Sequence, residues 1–415
     1  MSGIIYIESC SPRKVWRTAR RNRKLLKIAL VSNTDFSLYY FRLGLIRALL
    51  ARGYEVHIIC PDGKYIKEFA KEGVQHHALH MDRKGTNPIN EIKTLWQLYR
   101  VFRKERFDIA HNFTIKLNIY GNVATKFARV PIVINSVTGL GYVFTEGDGK
   151  KKLLRTLVVN LYRFAFIFSK RVIFLNKDDF ELFRNYKIVS SSKGMVLNSE
   201  GVDTTKFSPT NVILDKLQKL RRELDMVEGR REIIVTLISR LIWDKGIREF
   251  VEAARTLKAI YPDTLFLLVG PIDTGNPAAV SQQFIQQAEK ERLIKYLGER
   301  RDIPEIMYIS DIVTLPSYYR EGIPIVLLEA MAMEKPIVTT NSVGCRDVVE
   351  EGKTGFLVPV KNPSALATAI EKLINDEELR IKMGKYGREK VLGEFDEKII
   401  IDQTMQLYKE LIETT

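Results

Sequence analysis

The chain has 415 residues, of which 45% are apolar and 28% charged, a composition that predicts two or three globular domains and excludes disordered or collagen-like proteins. Three cysteines without a C-x-x-C spacing exclude a disulfide scaffold and a cysteine zinc site, which favours a reduced, cytoplasmic chain. The net charge of +15 is uneven, since residues 1–210 carry +19 and the remainder −4. A cationic half suits an anionic membrane, a lipid-linked substrate or nucleic acid, or is simply a solubilising surface. Because no nucleic-acid-binding motif is present, we expect no nucleic acid partner.

Short apolar runs alternate with segments of helical apolar spacing in the first half of the chain. The predicted strands are residues 26–31, 55–60, 108–111, 132–137, 172–175 and 195–197. The predicted helices are residues 41–50, 91–103, 118–128 and 153–168. Near-continuous apolar strands that alternate with helices indicate a doubly wound parallel sheet.

The same pattern starts again after a predicted linker at residues 198–210, which contains Gly201 and Pro209. The predicted strands are residues 233–238, 265–269, 294–297, 312–315, 337–339 and 356–358. The predicted helices are residues 247–260, 324–333, 365–373 and 397–412. We therefore predict a basic leader at 1–24, two α/β domains at 25–200 and 201–395, and a final segment at 396–415. Ligands of such sheets bind beyond the carboxyl ends of the strands, so we expect the site in a cleft between the domains.

The first motif, S-R-L-I-W-D-K-G at residues 239–246, lies between a predicted strand and a helix. Arg240 and Lys245 would project at the carboxyl end of the strand, where two cations beside a helix N-terminus suit a diphosphate. Two basic residues in a loop are, however, more often simply solvated.

The second motif contains two glutamates, Glu321 and Glu329, that flank Gly322, Ile323 and Pro324. Pro324 suits the first position of a helix. Glu329 then falls inside an otherwise apolar helix, where a carboxylate is costly unless it has a partner. A pair of sugar hydroxyls or a structural arginine could be that partner.

Taken in order, Arg240-x4-Lys245-Gly246, Leu268-Val269-Gly270, Leu315-Pro316-Ser317 and the paired glutamates resemble the nucleotide half of the retaining glycosyltransferases of family 4. The resemblance runs from Val202 onward. It implies the GT-B fold, which has two Rossmann-like, doubly wound parallel-sheet domains facing a cleft and a last helix that crosses back to the first domain. The family has glycine where this chain has Ser239.

The resemblance also implies a nucleotide-sugar donor and the residues that bind it. Arg240 and Lys245 match the residues that bind the diphosphate, Glu329 the residue that binds the ribose, and Glu321 the residue at the transferred sugar. Gly270, Gly322, Ile323 and Pro324 complete the expected donor site. Glu321, Arg240 and Lys245 are the candidate catalytic residues. We expect neither a cofactor nor a metal, since the chain has no Asp-x-Asp motif.

The first half carries the stretches D-R-K-G-T-N-P at 82–88, H-N-F-T-I-K-L-N-I-Y-G at 111–121 and V-T-G-L-G-Y-V-F at 137–144. Together they resemble bacterial transferases that extend undecaprenyl-diphosphate-linked sugars. Leu117 and the loop 33–36 depart from the usual pattern, and Thr138 stands near a position where many relatives have a histidine. Arg83 and Lys116 are cations suited to an acceptor diphosphate, and glycines allow close backbone approach or merely turn the chain. The expected acceptor-binding residues are Asp35, Tyr39, Arg83, Asn87, His111, Lys116, Asn118, Thr138, Gly139 and Gly141.

Residues 150–171 place cations beside an apolar stripe, which is typical either of a helix at a membrane interface or of an ordinary helix facing a core. Charges interrupt every apolar stretch, so we expect no membrane-spanning helix and no signal peptide. The resemblance therefore implies a retaining transferase on the inner face of the cytoplasmic membrane, which moves a hexose or N-acetylhexosamine from a nucleotide donor, UDP favoured over GDP, to an undecaprenyl-diphosphate-linked saccharide. The alternatives are a sugar-nucleotide epimerase of GT-B shape and a non-catalytic nucleotide-sugar-binding protein.

Overall fold

The structure is a computed structural model that describes residues 25–82, 87–144, 149–226 and 232–415. The predicted basic leader, together with Arg83, lies outside these residues. Two parallel sheets are present in the described part of the chain, one of seven strands and one of six. We call each sheet, with the helices that cover it, the first and the second lobe.

The strands of the first lobe are β1 Lys27–Val31, β2 Glu55–Cys60, β3 Gln75–Ala78, β4 Ile109–Phe113, β5 Ile132–Val137, β6 Arg171–Phe174 and β7 Gly194–Val196. Those of the second lobe are β8 Ile234–Ile238, β9 Leu265–Val269, β10 Lys295–Tyr296, β11 Ile312–Leu315, β12 Ile337–Thr340 and β13 Gly355–Val358. Their orders are β3-β2-β1-β4-β5-β6-β7 and β10-β9-β8-β11-β12-β13. In each sheet the order reverses beside the first strand, so the predicted doubly wound, Rossmann-like fold is confirmed.

The helices follow the strands and cover both sheets. In the first lobe they are Asp35–Ala51, Ile66–Lys71, Pro88–Glu105, Ile115–Ala128, Gly149–Phe166 and Lys177–Asn185. The later helices are Leu214–Glu223, Ile247–Lys258, Gln282–Lys290, Ile303–Ile309, Ile325–Ala332, Pro363–Asn375, Glu377–Lys390 and Glu397–Glu413. Short 3-10 turns occur at Gly141–Phe144 and Trp243–Lys245, and a π turn at Val391–Phe395.

The interior strands are buried and mostly apolar, as expected where helices cover both faces of a sheet. All residues of β4 and β5 are buried, and the core of the first lobe contains Ile28, Leu30 and Ile58 at 0% exposure. Buried polar groups in these strands bond to one another, since Asn112 Nδ2 on β4 donates to Asn135 Oδ1 on β5 over 3.2 Å.

Strand β3 was not predicted, because its sequence Q-H-H-A has no apolar pattern. His76 and His77 belong to this strand and are only partly exposed. His77 Nε2 lies 2.9 Å from Nδ1 of the buried His57 on β2. An edge strand of polar residues is therefore stabilised by its pairing with β2.

The last helix, Glu397–Glu413, packs on the first lobe, where Tyr408 and Leu411 belong to the same apolar cluster as Leu30. The chain passes between the lobes twice, and the two passes lie side by side, since Val202 pairs with Asp396. The domain boundaries at 200 and 395 stay predictions. Across the described ranges, we find no helix with both the length and the apolar character that crossing a bilayer requires.

Candidate active site

The first donor loop, residues 239–246, leaves the carboxyl end of β8 and leads into the helix Ile247–Lys258. Its main chain is bound to the loop after β9, since Leu241 N donates to Pro271 O over 2.9 Å. Arg240 is half exposed, and its Nη1 lies 2.9 Å from Asp273 Oδ2. Lys245 is largely buried and forms an ion pair with Glu321. Both predicted phosphate-binding cations thus have carboxylate partners with which a diphosphate would compete.

Two positions at this loop require glycine, one in the loop itself and one in the loop after β9 that packs against it. Gly270 has φ +132°, and a Cβ built there would lie 1.8 Å from Ser239 O. Gly246 has φ +78°, and a Cβ there would lie 2.2 Å from Pro316 O. Ser239 itself does not have a positive φ, so serine is compatible with the turn where relatives have glycine.

The second donor loop, residues 316–324, follows β11 and carries Glu321. Ser317 Oγ donates to Glu321 Oε1 over 2.9 Å, and Lys245 binds the same oxygen. Ser342 Oγ in turn donates to Ser317 O over 3.0 Å. The carboxylate is therefore fixed by a cation and a hydroxyl from two separate loops. The helix begins at Ile325, with Pro324 as its N-cap rather than its first residue.

Glu329 lies in the helix Ile325–Ala332, whose other inward residues are apolar. Its carboxyl group makes no hydrogen bond or ion pair with any residue in the described ranges. Burial raises its pKa to about 7, and Lys206 only partly opposes this effect. A partly buried carboxylate without a partner is the group that a ribose diol would stabilise.

The loop after β5 meets the second donor loop across the cleft. A Cβ built on Gly139, which has φ +130°, would lie 3.0 Å from Gly322 N. A Cβ on Gly322 would lie 2.7 Å from Thr138 O. The structure thus brings Thr138 and Gly139, predicted from the first half of the sequence, into contact with Gly322. Gly141 follows in the 3-10 turn Gly141–Phe144.

His111 differs from our expectation, because it lies in the middle of β4 rather than at its end. Its ring is buried and bonded on both sides, with Nδ1 2.6 Å from Tyr408 Oη and Nε2 2.8 Å from Ser136 Oγ. Burial, and then Arg42, hold its pKa well below the usual value. The imidazole is neutral and connects the last helix to β5.

The other acceptor-site candidates near the cleft are held by local contacts. Asp35 accepts hydrogen bonds from Phe36 N and Tyr65 N, both over 2.8 Å, and so anchors its loop. The ring of Tyr39 stacks on that of Tyr65 with centroids 4.4 Å apart. Lys116 Nζ lies 2.6 Å from Glu91 Oε1 and 2.7 Å from Asp82 O.

Two asparagines of the predicted set bond to the backbone. Asn87 caps the helix Pro88–Glu105 by accepting from Ile89 N over 3.0 Å. Asn118 is fully buried and donates to Ser136 O over 2.9 Å. Both place backbone segments that border the cleft, and their predicted contacts with an acceptor stay predictions.

A buried ion pair that the sequence did not indicate lies beneath the cleft. Arg42 and Glu200 are paired, and the guanidinium lies 3.8 Å from the centre of the Phe113 ring. They line a cavity of about 50 Å³ together with His111, Glu397 and Thr404. Arg42 lies among apolar residues of the helix Asp35–Ala51, and Glu200 is 158 residues away in the sequence. For this reason no local sequence pattern predicts the ion pair.

A group of metal-ligand residue types lies at the opposite end of the first sheet from the cleft. Within the described part of the chain, His57, His77 and Glu105 have ligand atoms within 4.8 Å of one another. His57 Nε2 already lies 2.9 Å from Glu55 Oε1, and Lys27 Nζ lies 2.9 Å from Glu55 and 3.6 Å from Glu105. The ammonium group of Lys27 thus forms ion pairs with both Glu55 and Glu105.

Comparison with known proteins agrees with this geometry. The family described as Glycosyl transferases group 1 matches residues 221–390, and the family Glycosyl transferase 4-like matches residues 27–176. The lipid-linked diacetylbacillosamine α-1,3-N-acetylgalactosaminyltransferase of Campylobacter jejuni is 32% identical over 93% of this chain and 99% of its own. An Escherichia coli α-1,3-galactosyltransferase that acts on GlcNAc-diphosphoundecaprenol is 28% identical over 86% of this chain and 90% of its own.

Among solved structures, HepE from Anabaena in complex with UDP and glucose has a TM-score of 0.76. It is 20% identical and is matched over 93% of this chain and all of that one, so this likeness supports the fold alone. The family matches, the extent of the sequence identity and the two parallel sheets all support the same family and fold. The chain belongs to the group 1 glycosyl transferases and is a glycosyltransferase with the GT-B fold.

Proposed function

We propose that this enzyme transfers a hexose or N-acetylhexosamine, with retention, from a UDP-sugar to an undecaprenyl-diphosphate-linked saccharide. The contact between the Thr138–Gly139 and Glu321–Gly322 segments is the observation that carries this proposal. It joins the loop expected to bind the acceptor to the loop expected to bind the transferred sugar. The two relatives described above act on undecaprenyl-diphosphate-linked sugars, which supports the same class of acceptor.

Arg240 and Lys245 would stabilise the charge that develops on the departing diphosphate. Lys245 is largely buried, so its electrostatic interaction with an anion is stronger than in water. When the diphosphate binds Lys245, the Glu321 carboxylate is released toward the hydroxyls of the sugar while Ser317 continues to hold it. We assign no carboxylate as nucleophile, and the mechanism is front-face attack assisted by the leaving phosphate.

The direct test supplies a panel of UDP- and GDP-sugars with undecaprenyl-diphosphate-linked saccharides and analyses the lipid products by mass spectrometry. A lipid extended by one α-linked sugar is expected. Conversion of the donor to an isomer without any acceptor would instead identify an epimerase. Binding of the donor without turnover would identify a sugar-nucleotide-binding protein.

Substitution of the two cations tests the diphosphate assignment. Arg240→Ala and Lys245→Ala should each lower kcat at least tenfold, which corresponds to about 1.4 kcal/mol of transition-state stabilisation. Arg255→Ala is the matched control, because Arg255 is equally exposed on the same lobe and binds Glu291. Near-normal turnover in both site variants would remove the assignment.

The proposal includes binding to an anionic membrane through the first lobe. On the helix Gly149–Phe166, the exposed apolar side chains Leu153, Leu157, Leu161 and Phe164 recur at spacings of four, four and three residues, which is one helical face. Leu153 is 72% exposed and the neighbouring Ile167 64%. On the helix Pro88–Glu105, the exposed residues Ile89, Ile92 and Trp96 form a second stripe.

Basic residues around these stripes suit anionic headgroups, and the lipid-linked acceptor would be presented at the same surface. The side chains of Lys150 and Lys151 lie outside the described ones, but Lys152, Lys170 and Arg163 are exposed. The double variant Leu153→Glu/Leu157→Glu should reduce sedimentation with phosphatidylglycerol vesicles. Leu214→Glu, on the second lobe with 70% exposure, is the control. Equal sedimentation of both variants, or binding that does not weaken with salt, would contradict this orientation.

A further inference from the structure

The helix Lys177–Asn185 of the first lobe contacts the second donor loop directly. Asn176, its N-cap, donates from Nδ2 to Gly322 O over 2.9 Å. Arg320 Nε donates to Asp179 Oδ1 over 2.8 Å. Farther out, Arg346 binds both oxygens of Asp178 at 2.7 and 2.8 Å. One helix end thus binds the loop on either side of Glu321.

Asp179 differs from Asp178 in its surroundings. Its side chain is 0% exposed and that of Arg320 20%, whereas Asp178 and Arg346 are more than a third exposed. Asn176 Oδ1 accepts from Asp179 N over 2.8 Å, and Asn176 Nδ2 lies 3.3 Å from Asp179 Oδ2. This pair of bonds fixes the orientation of the Asn176 amide, so its remaining hydrogen-bond capacity is directed at Gly322 O.

The residues held in this way are next to the reacting groups. Arg320 precedes Glu321, which Lys245 and Ser317 bind on the other side. Gly322 follows Glu321 and packs on Thr138 and Gly139. Since a displacement of about 1 Å at a reacting group can lower a rate about a hundredfold, the backbone of this loop must be held closely.

We propose that Asp179 and Asn176 are positioning residues, which act through Arg320 and Gly322 to place the carboxylate of Glu321 for transfer. This inference rests on the role that the proposed function gives to Glu321. Asp179 supplies a buried charge that Arg320 binds from the other side of the cleft, and Asn176 supplies a directional bond to the main chain. Both residues are buried, at 0% and 2% exposure, so they would act through the loop and not on the substrate itself.

Three variants test the proposal in the full-length enzyme: Asp179→Asn, which keeps the shape and removes the charge, Asp179→Glu, which restores it, and the control Asp178→Asn. For Asp179→Asn we expect kcat to fall at least tenfold while the KM for the donor changes less than threefold. Asp179→Glu should recover part of this loss, and Asp178→Asn should stay within twofold of the wild type.

Hydrogen exchange in the absence of ligand provides a readout that does not depend on activity. Peptides covering residues 316–324 should exchange faster in Asp179→Asn, with exchange unchanged in β8 and β9. Unchanged exchange in this loop, or kcat within twofold of the wild type, would overturn the inference. Faster exchange throughout both lobes would also overturn it, since it would assign Asp179 a general structural role. If the wild type transfers no sugar to a lipid acceptor, the proposed function fails, and loop exchange still decides whether Asp179 holds the loop.

Discussion

Glu329 gives a sharp prediction, because its carboxyl group, which has no hydrogen-bond partner among the described residues, opposes stability in the absence of ligand. Burial raises its pKa from the usual 4.5 to about 7. Each tenfold change in proton affinity corresponds to about 1.36 kcal/mol, so the ionised carboxylate destabilises the folded state by about 3 kcal/mol at most. Glu329→Gln removes the charge and keeps the shape.

The sign of the effect follows from proton linkage. The folded state binds the proton more tightly than the unfolded state, so the free energy of unfolding of the wild type falls as pH rises from about 4.5 to about 7. Glu329→Gln should therefore be more stable than the wild type at pH 8, by about 1–3 kcal/mol, and no more stable at pH 4.5. Urea denaturation at the two pH values measures this difference.

The affinity for nucleotide should have the opposite pH dependence to the free energy of unfolding. If the carboxylate accepts hydrogen bonds from the ribose hydroxyls, UDP affinity should rise as pH increases through about 7, and Glu329→Gln should bind UDP at least tenfold more weakly at pH 8. Calorimetry with UDP at both pH values provides the measurement. A variant that binds UDP normally and shows no gain in stability at pH 8 would refute the reasoning about both burial and ribose binding.

Two further substitutions test the framework around the site. Gly270→Ala should lower the free energy of unfolding by several kcal/mol, because its Cβ would overlap Ser239 O at 1.8 Å. Gly393→Ala is the control for thermal unfolding and should have little effect, because a Cβ there would have no atom within 4 Å. Arg42→Ala should destabilise the fold by about 3–5 kcal/mol because Glu200 would be left as a buried unpaired charge. Arg42→Met combined with Glu200→Gln should recover most of that loss in urea denaturation, and equal destabilisation by the single and double variants would contradict the ion-pair argument.

The parallel sheets could be predicted because strands such as Leu265–Val269 are apolar along their whole length. The end of β4 was placed too early, since Asn112 looks like a polar terminus in the sequence. In the structure Asn112 is buried and donates to Asn135 Oδ1 over 3.2 Å, so the strand continues through it. Polar residues that hydrogen-bond to one another inside a sheet give no signal in a hydropathy pattern.

The donor loops could be located because their glycines, cations and glutamates form an ordered motif within one half of the chain. The contacts across the cleft could not, because the pairing of Asp179 with Arg320, 141 residues later, depends on how the lobes are oriented. The N-K-D-D sequence at 176–179 does carry the signature of a helix N-cap with an acidic first turn. That signature predicts where a helix begins, and not what its side chains bind.

The return of the helix Glu397–Glu413 to the first lobe has a consequence for biosynthesis. Tyr408 and Leu411 complete an apolar core that begins with Ile28, and Tyr408 also bonds to His111. During translation, the amino-terminal half therefore leaves the ribosome long before the residues that complete its core. Its core stays incomplete until the entire second lobe has been synthesised. The first lobe without its last helix would expose apolar surface and positive charge, so chaperones or an anionic membrane could bind it and prevent aggregation.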